Sequence, residues 1–193
     1  MARSSSFQVK LSGAGDTMAT FAVLEAQRVE MLADVARWPA RQLAFRPRPD
    51  AWTAPEVLDH LVRTERGILK AAAAGLHAPH RRGVRDRLGV YLLDWLFRSD
   101  RRVRVPASVA TVVNPHAGVD VRAVRRDWDD VRRDLSEFLA PLAAPDLTDA
   151  VFKHPVAGWM RVSDVLRFFW VHSHHHAFQL ARLRAAGRSD TRA

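Results

Sequence analysis

Apolar residues recur at intervals of three and four along four long segments of this 193-residue chain, and this spacing constrains the fold more than any other feature. One segment runs from Phe21 to Val35, before Pro39, and another runs from Val121 to Leu142. Such a repeat places apolar side chains on one face of an α-helix, which buries that face against its neighbours. Both segments are therefore predicted as amphipathic helices.

A capping signal marks the start of another helix in the first half of the chain. Thr53 is predicted as its N-cap, and Glu56, three residues later, completes a capping box. Pro55 is tolerated in the first turn, where its missing N–H would lack a helical partner in any case. Gly75 is expected to end this helix. The last of the four helices is predicted over residues 163–187.

Two regions interrupt the helical pattern. Residues 76–118 combine a basic cluster at 81–87 with an apolar stretch at 91–97 that is predicted as a short helix, and they are interpreted as a crossover insertion. Residues 150–161, which contain proline and glycine, are predicted as a loop. Four helices, one long connection and no strand pattern predict an all-α fold, an antiparallel four-helix bundle with a long crossover insertion. The predicted organisation is a leader at residues 1–15, one bundle domain at 16–187 and a tail at 188–193.

The composition limits the chemistry that the chain can perform. It has no cysteine, which excludes disulfides, zinc–thiolate sites and a cysteine nucleophile. Its length suffices to bury a core without a metal, so a bound metal would serve chemistry more than folding. The N-terminal residues lack an apolar signal region, and the longest apolar stretches are too short to span a bilayer. We therefore expect a cytoplasmic protein with no membrane partner.

The formal net charge of +9 raises the question of nucleic-acid binding. Lysine and arginine together number 30, and the only lysines are Lys10, Lys70 and Lys153, so the positive charge is almost entirely guanidinium. No helix-turn-helix, zinc-finger or stacking-aromatic pattern accompanies it, and we do not expect nucleic acid as a partner. A basic surface could equally attract an anionic small-molecule substrate.

Histidines on the last predicted helix are the strongest functional signal. A rotation of about 100° per residue places His172 and His176 in the middle of an apolar stripe. Inward imidazoles at i and i+4 can bind one ion together, although hydrogen bonds could instead satisfy them as ordinary core histidines. His60, on the apolar face of the second predicted helix, supplies a third imidazole. Three such ligands leave coordination positions open for water or substrate, which is typical of a catalytic metal site.

The other histidines are expected in different places. His174 is predicted to face solvent on the opposite side of the last helix. His175 is predicted on the flank of that helix, either supporting the site or at the surface. His154 could border the site. The remaining histidines are predicted at the surface of the insertion: His77, His80 and His116.

Two segments resemble the DinB/YfiT-like family of metal-binding four-helix bundles: AWTAPEVLDHLVRTE and HPVAGWMRVSDVLRFFWVHSHHHAFQL. The first carries the family's tryptophan and hydroxyl residue ahead of a His-Leu pair, and the second carries its His-Pro-x-x-Gly loop and His-x-x-x-His-x-x-Gln helix. The matching positions are Trp52, Thr53, His60, Leu61, His154, Pro155, Gly158, His172, His176 and Gln179. The resemblance spans about residues 16–186. It implies three histidine ligands to zinc, nickel or another divalent ion, and homodimers in many members.

The resemblance also implies an activity, because the better-understood branches of this family resemble S-transferases that join a low-molecular-weight thiol to an electrophile. We therefore expect a metal-dependent enzyme that binds a thiol cosubstrate as thiolate and lowers its pKa. A hydrolase using metal-bound water is the alternative, with Glu56 as base if it reaches the site. Gln179 is a second candidate to support the metal ligands or to act as base. A non-catalytic, stress-related metal-binding protein is the third hypothesis, and the sequence leaves all three open.

Overall fold

The computed structural model describes residues 17–99, 103 and 105–189. The predicted leader at residues 1–15 and the last four residues of the predicted tail lie outside the described residues. The helices are α1 (Thr17–Val35), α2 (Ala40–Leu43), α3 (Ala54–Gly75), α4 (Val84–Phe97), α5 (Ala110–Val113), α6 (Val121–Leu139) and α7 (Val162–Ser189).

The long helices α1, α3, α6 and α7 confirm the predicted all-α fold. Helix α3 packs against both α6 and α7, and α1 packs against the same two helices. The predicted capping box starts α3, because Thr53 Oγ1 accepts the Glu56 N–H at 3.4 Å and Glu56 Oε2 accepts the Thr53 N–H at 2.8 Å. Gly75 is the last residue of α3, as predicted.

The crossover insertion contains more regular structure than the predicted short helix at 91–97. Helix α4 begins seven residues earlier, at Val84, and its first turn is capped by Asp86, whose Oδ2 accepts the Gly83 N–H at 2.8 Å. The basic cluster obscures this start in the sequence. Leu93 and Phe97 face the bundle and are buried, so α4 packs along one side of it.

A β-hairpin replaces the loop predicted at residues 150–161. Strand β1 (Ala150–His154) pairs antiparallel with β2 (Gly158–Arg161), in a register that sets His154 opposite Gly158 and Lys153 opposite Trp159. Gly158 has a φ of +78°, a left-handed conformation that glycine adopts without a Cβ penalty. The prediction was wrong because strands this short carry too little alternation to be recognised. The hairpin packs against α3 and α4, and α7 follows it directly.

The core between α3 and α6 holds one buried ion pair. Glu65 accepts hydrogen bonds from Trp128 Nε1 at 2.8 Å and from Arg132 Nη2 at 3.0 Å. All three side chains are buried among apolar residues, and the pairing satisfies the carboxylate that burial would otherwise leave without water. Within the described residues, none of the helices combines the length and the apolar character that crossing a bilayer requires.

Candidate metal centre

Three histidines from two helices meet in the middle of the bundle. His60 comes from α3, and His172 and His176 lie one turn apart on α7. The Nε2 atom of His172 is 3.3 Å from that of His60 and 3.1 Å from that of His176. One ligand nitrogen from each ring lies within 4.8 Å of the other two, and all three residues are at most 6% exposed. The structure thus brings together the three predicted residues.

Aromatic side chains fix the orientations of these rings. Trp52, just before α3, lies with its ring centroid 4.8 Å from that of His60. Phe168, one turn before His172 on α7, stacks on that imidazole at 5.1 Å, while Phe97 of α4 contacts it edge-on at 5.2 Å. Packing of this kind restricts the rotamers of the imidazoles and holds their nitrogens in place.

Hydrogen bonds determine which ring nitrogens carry protons at two of the three histidines. His60 Nδ1 lies 2.7 Å from the carbonyl oxygen of Val113, and His176 Nδ1 lies 2.8 Å from Gln179 Oε1. Both partners are acceptors, so both Nδ1 atoms donate a hydrogen. In the neutral rings the Nε2 atoms therefore present bare lone pairs towards His172.

Burial keeps the three imidazoles neutral. It lowers the pKa of His60 to about 4, because the charged ring would lose its hydration. It also lowers the pKa of His172 and of His176 well below the ordinary value, and the neighbouring imidazoles add to the effect by charge repulsion. Neutral imidazole is the form that binds metal ions.

Hydrogen bonding alone does not satisfy this cluster. If His172 Nε2 carries a proton, it can donate that proton to only one of the two facing lone pairs, on His60 or on His176. The other Nε2 then remains buried without a donor. A divalent ion would be bound by all three nitrogens, and ligands about 2.0–2.1 Å from a tetrahedral zinc lie about 3.3 Å apart, close to the separations found here. The residues present therefore fit a metal ion.

A cavity of about 820 Å³ opens beside the three imidazoles. Towards the N-terminus of α7 its walls are apolar and include Leu93, Phe152 and Phe168, whereas the rest of the lining includes Arg182 and the ion pair of Arg48 with Asp50, which leaves one positive charge in excess. Phe168 and Arg182 are 14 positions apart on α7, which corresponds to about 21 Å along the helix. The imidazoles lie between these two ends. The cavity thus has an apolar end and a cationic end, with the candidate metal centre between them.

Of the two residues predicted to assist the site, Gln179 is in place and Glu56 is not. Gln179 lines the cavity and contacts His176. Glu56 is buried in the capping box of α3, and its Oε1 accepts a hydrogen bond from Arg46 Nη2 at 2.8 Å. Burial would raise the pKa of Glu56, but the hydrogen bonds from Arg46, Thr53 and Gly118 together outweigh it and lower that pKa. Glu56 does not line the described cavity, and the geometry gives no support to a role as base.

The other histidines follow the prediction in part, since His174 was predicted to face solvent and is partly covered. His154 lines the cavity, while His174 is half-buried and stacks on Trp170 outside it. His175 also lines the cavity and is buried, with Nδ1 3.2 Å from the Ser99 carbonyl oxygen. The sequence left His175 between a supporting and a surface position, because helical periodicity does not show which segment covers that flank of α7; Phe97 of α4 contacts it. The three insertion histidines are exposed, as predicted: His77, His80 and His116.

A helical bundle with three converging neutral imidazoles at its centre belongs to the class of proteins that could hold a divalent metal ion between helices. Comparison with known protein families identifies the family within this class. The model of the DinB superfamily matches residues 23–180, and this chain belongs to that superfamily. The match covers all three histidines and confirms the resemblance drawn from the sequence. Neither a curated protein nor a solved structure matches the chain.

Proposed function

We propose that this protein is a metal-dependent enzyme that transfers a low-molecular-weight thiol to an apolar electrophile. The observation that carries the proposal is the convergence of three neutral Nε2 atoms beside a cavity with chemically different ends. His60, His172 and His176 would hold the ion, with zinc or nickel as the metals to test first. When bound, a divalent ion would supply Lewis-acid chemistry that lowers the pKa of a thiol, so that the thiolate is available at neutral pH.

The two ends of the cavity suit two different substrates. The apolar end, with Phe152 and Phe168, would bind the hydrocarbon or aromatic part of the electrophile and exclude water from it. The cationic end, where Arg182 lies beside the Arg48–Asp50 ion pair, would bind carboxylate or hydroxyl groups of the thiol cosubstrate. The reacting atoms of both molecules would then meet between these ends, beside the histidines.

The proposed reaction balances without an oxidant or a reductant. The thiol sulfur forms a bond to the electrophilic carbon, and the bond from that carbon to its leaving group breaks with the electron pair. The proton lost by the thiol leaves with the displaced group or passes to solvent. Hydrolysis is the main rival. Among the described residues that line the cavity, the only carboxylate is Asp50, which is held by Arg48 at 2.9 Å, so a carboxylate base for water activation lacks support.

Metal content is the first test. Elemental analysis of untagged protein should find one divalent ion per chain, and His60→Ala, His172→Ala or His176→Ala should lose most of it. His174→Ala is the matched control, because it removes an imidazole from the same helix but outside the cavity. Full metal content in His176→Ala protein would refute the site.

Activity is the second test. Metal-loaded protein should conjugate at least one of a panel of thiols to aromatic electrophiles, and Arg182→Gln should raise the KM for an anionic thiol by about tenfold. Phe152→Ala should raise the KM for the electrophile instead. With cobalt in the site, a reactive thiol should produce a sulfur-to-metal charge-transfer band that its S-methylated form does not produce. The transferase proposal would be refuted if the protein hydrolysed an ester or amide without any thiol and no thiol changed the cobalt spectrum. These results would indicate a hydrolase instead.

A further inference from the structure

Helix α4 has a second apolar face that points away from the bundle. Its outward residues are Val84, Leu88, Tyr91, Leu92 and Trp95, which are between 52% and 80% exposed. Their intervals of four, three, one and three residues place them on one stripe, here called the outer α4 face. The inward side, with Leu93 and Phe97, is buried in the bundle. A continuous apolar stripe of this kind on a protein surface is typical of an interaction site.

Among the described residues of α4 and the segment before it, the charges that flank the outer α4 face are positive. Arg85 and Arg87 flank the stripe, each rotated by about 80° from its centre on opposite sides, and Arg81 precedes the helix. All three are exposed, and none makes an ion pair with a described residue. The two acidic residues of the helix turn inward instead. Asp86 Oδ1 accepts the Trp159 N–H at 3.0 Å, and Asp94 pairs with Arg167 at 2.7 Å.

We propose that the outer α4 face docks on the surface of a membrane that contains anionic lipids, with the helix parallel to that surface. Leu88 and Leu92 would enter the boundary between headgroups and acyl chains, and Tyr91 and Trp95 would lie at the headgroup level. The flanking arginines would bind lipid phosphates.

Charge argues against a second copy of the chain as the occupant. Two such faces packed together would bring the arginines of both helices into one interface, where like charges repel. The net charge of +9 also favours an anionic surface, because opposite charges attract. This docking departs from the expectation of no membrane partner, which rested on the lack of a spanning segment. A helix that lies on the surface needs only one apolar face.

Vesicle co-sedimentation tests the proposal independently of the metal and of any activity. The full chain should bind phosphatidylcholine vesicles that contain phosphatidylglycerol, should bind pure phosphatidylcholine far less, and should be released by salt. Leu88→Ser/Leu92→Ser should lose binding. Because both side chains are exposed, helix content and metal content should stay unchanged.

A pair of triple variants separates the outer α4 face from the overall charge. Arg81→Gln/Arg85→Gln/Arg87→Gln should weaken binding by about fivefold for each arginine. The matched control removes the same charge from exposed positions of α6: Arg122→Gln/Arg125→Gln/Arg126→Gln. The control should retain binding to within about twofold, since these arginines lie on another helix.

Three outcomes would overturn the proposal. The first is no binding to the anionic vesicles. The second is an equal loss of binding in both triple variants, which would assign the effect to net charge alone. The third is a dimer in sedimentation analysis that Leu88→Ser/Leu92→Ser converts to a monomer, which would make a second copy the occupant of the outer α4 face.

Discussion

Removing the hydrogen-bond acceptor at Gln179 is expected to weaken metal binding by about 10- to 100-fold. Gln179 Oε1 accepts the Nδ1 hydrogen of His176 at 2.8 Å, which fixes the tautomer that turns the Nε2 lone pair towards the site. Gln179→Met keeps the length of the side chain but removes the acceptor. The expected loss corresponds to about 1.4–2.7 kcal/mol of binding free energy.

Competition against a chromophoric chelator would measure this loss for zinc and cobalt. Gln179→Glu should retain or increase the affinity, because a carboxylate is a stronger acceptor for the same hydrogen. Gln42→Met is the matched control, since Gln42 donates a hydrogen bond to the Arg184 carbonyl of the same helix at 3.0 Å, away from the imidazoles. An affinity of Gln179→Met within about twofold of the unmodified protein would refute this reasoning, as would an equal loss in Gln42→Met.

Three further predictions concern stability. Chelation of the metal should lower the melting temperature by mass action but leave the helical circular dichroism, because the apolar core is buried without the ion; loss of the helical signal would show a structural metal. Glu56→Ala should cost about 1 kcal/mol or more in urea unfolding through the lost capping box, and a loss of metal in this variant would contradict its placement outside the site. Burial would raise the pKa of Asp94, but Arg167 and Arg98 outweigh it and hold that pKa below its ordinary value of 3.8. The ionised carboxylate therefore stabilises the fold above that value, and the contribution is lost as the pH falls through the lower folded pKa. Asp94→Asn should flatten this part of the acid unfolding curve, and an unchanged curve would count against the pairing.

The sequence predicted the long helices well because their signals are local. Thr53 and Glu56 satisfy each other's backbone groups within four residues, so the capping box is visible without the fold. Helix α4 and the hairpin depend on each other instead. Asp86 caps α4 with one oxygen and binds the Trp159 N–H of β2 with the other. A contact between residues 73 positions apart leaves no periodic pattern, and both elements were therefore missed or shortened.

The candidate site shows the same division. The pair at i and i+4 on α7 and the inward position of His60 could be predicted from helical geometry. The acceptor for His60 Nδ1 is the Val113 main-chain carbonyl, and a main-chain acceptor cannot be predicted from the residue type. The expectation that Glu56 could act as base conflicted with its predicted place in the capping box. Its carboxylate cannot reach back to the Thr53 N–H and also turn towards the cavity.

The three histidines are supported unequally, and this difference identifies the weakest part of the site. His60 and His176 each have a hydrogen-bond partner on Nδ1, whereas His172 Nδ1 has none among the described residues. The orientation of His172 therefore rests on Phe168 and on Phe97, the latter supplied by α4. The insertion is thus part of the site and more than a connection. It follows that Phe97 should influence metal binding although its side chain has no ligand atom, since a loosened His172 ring would rotate its Nε2 away from the other two.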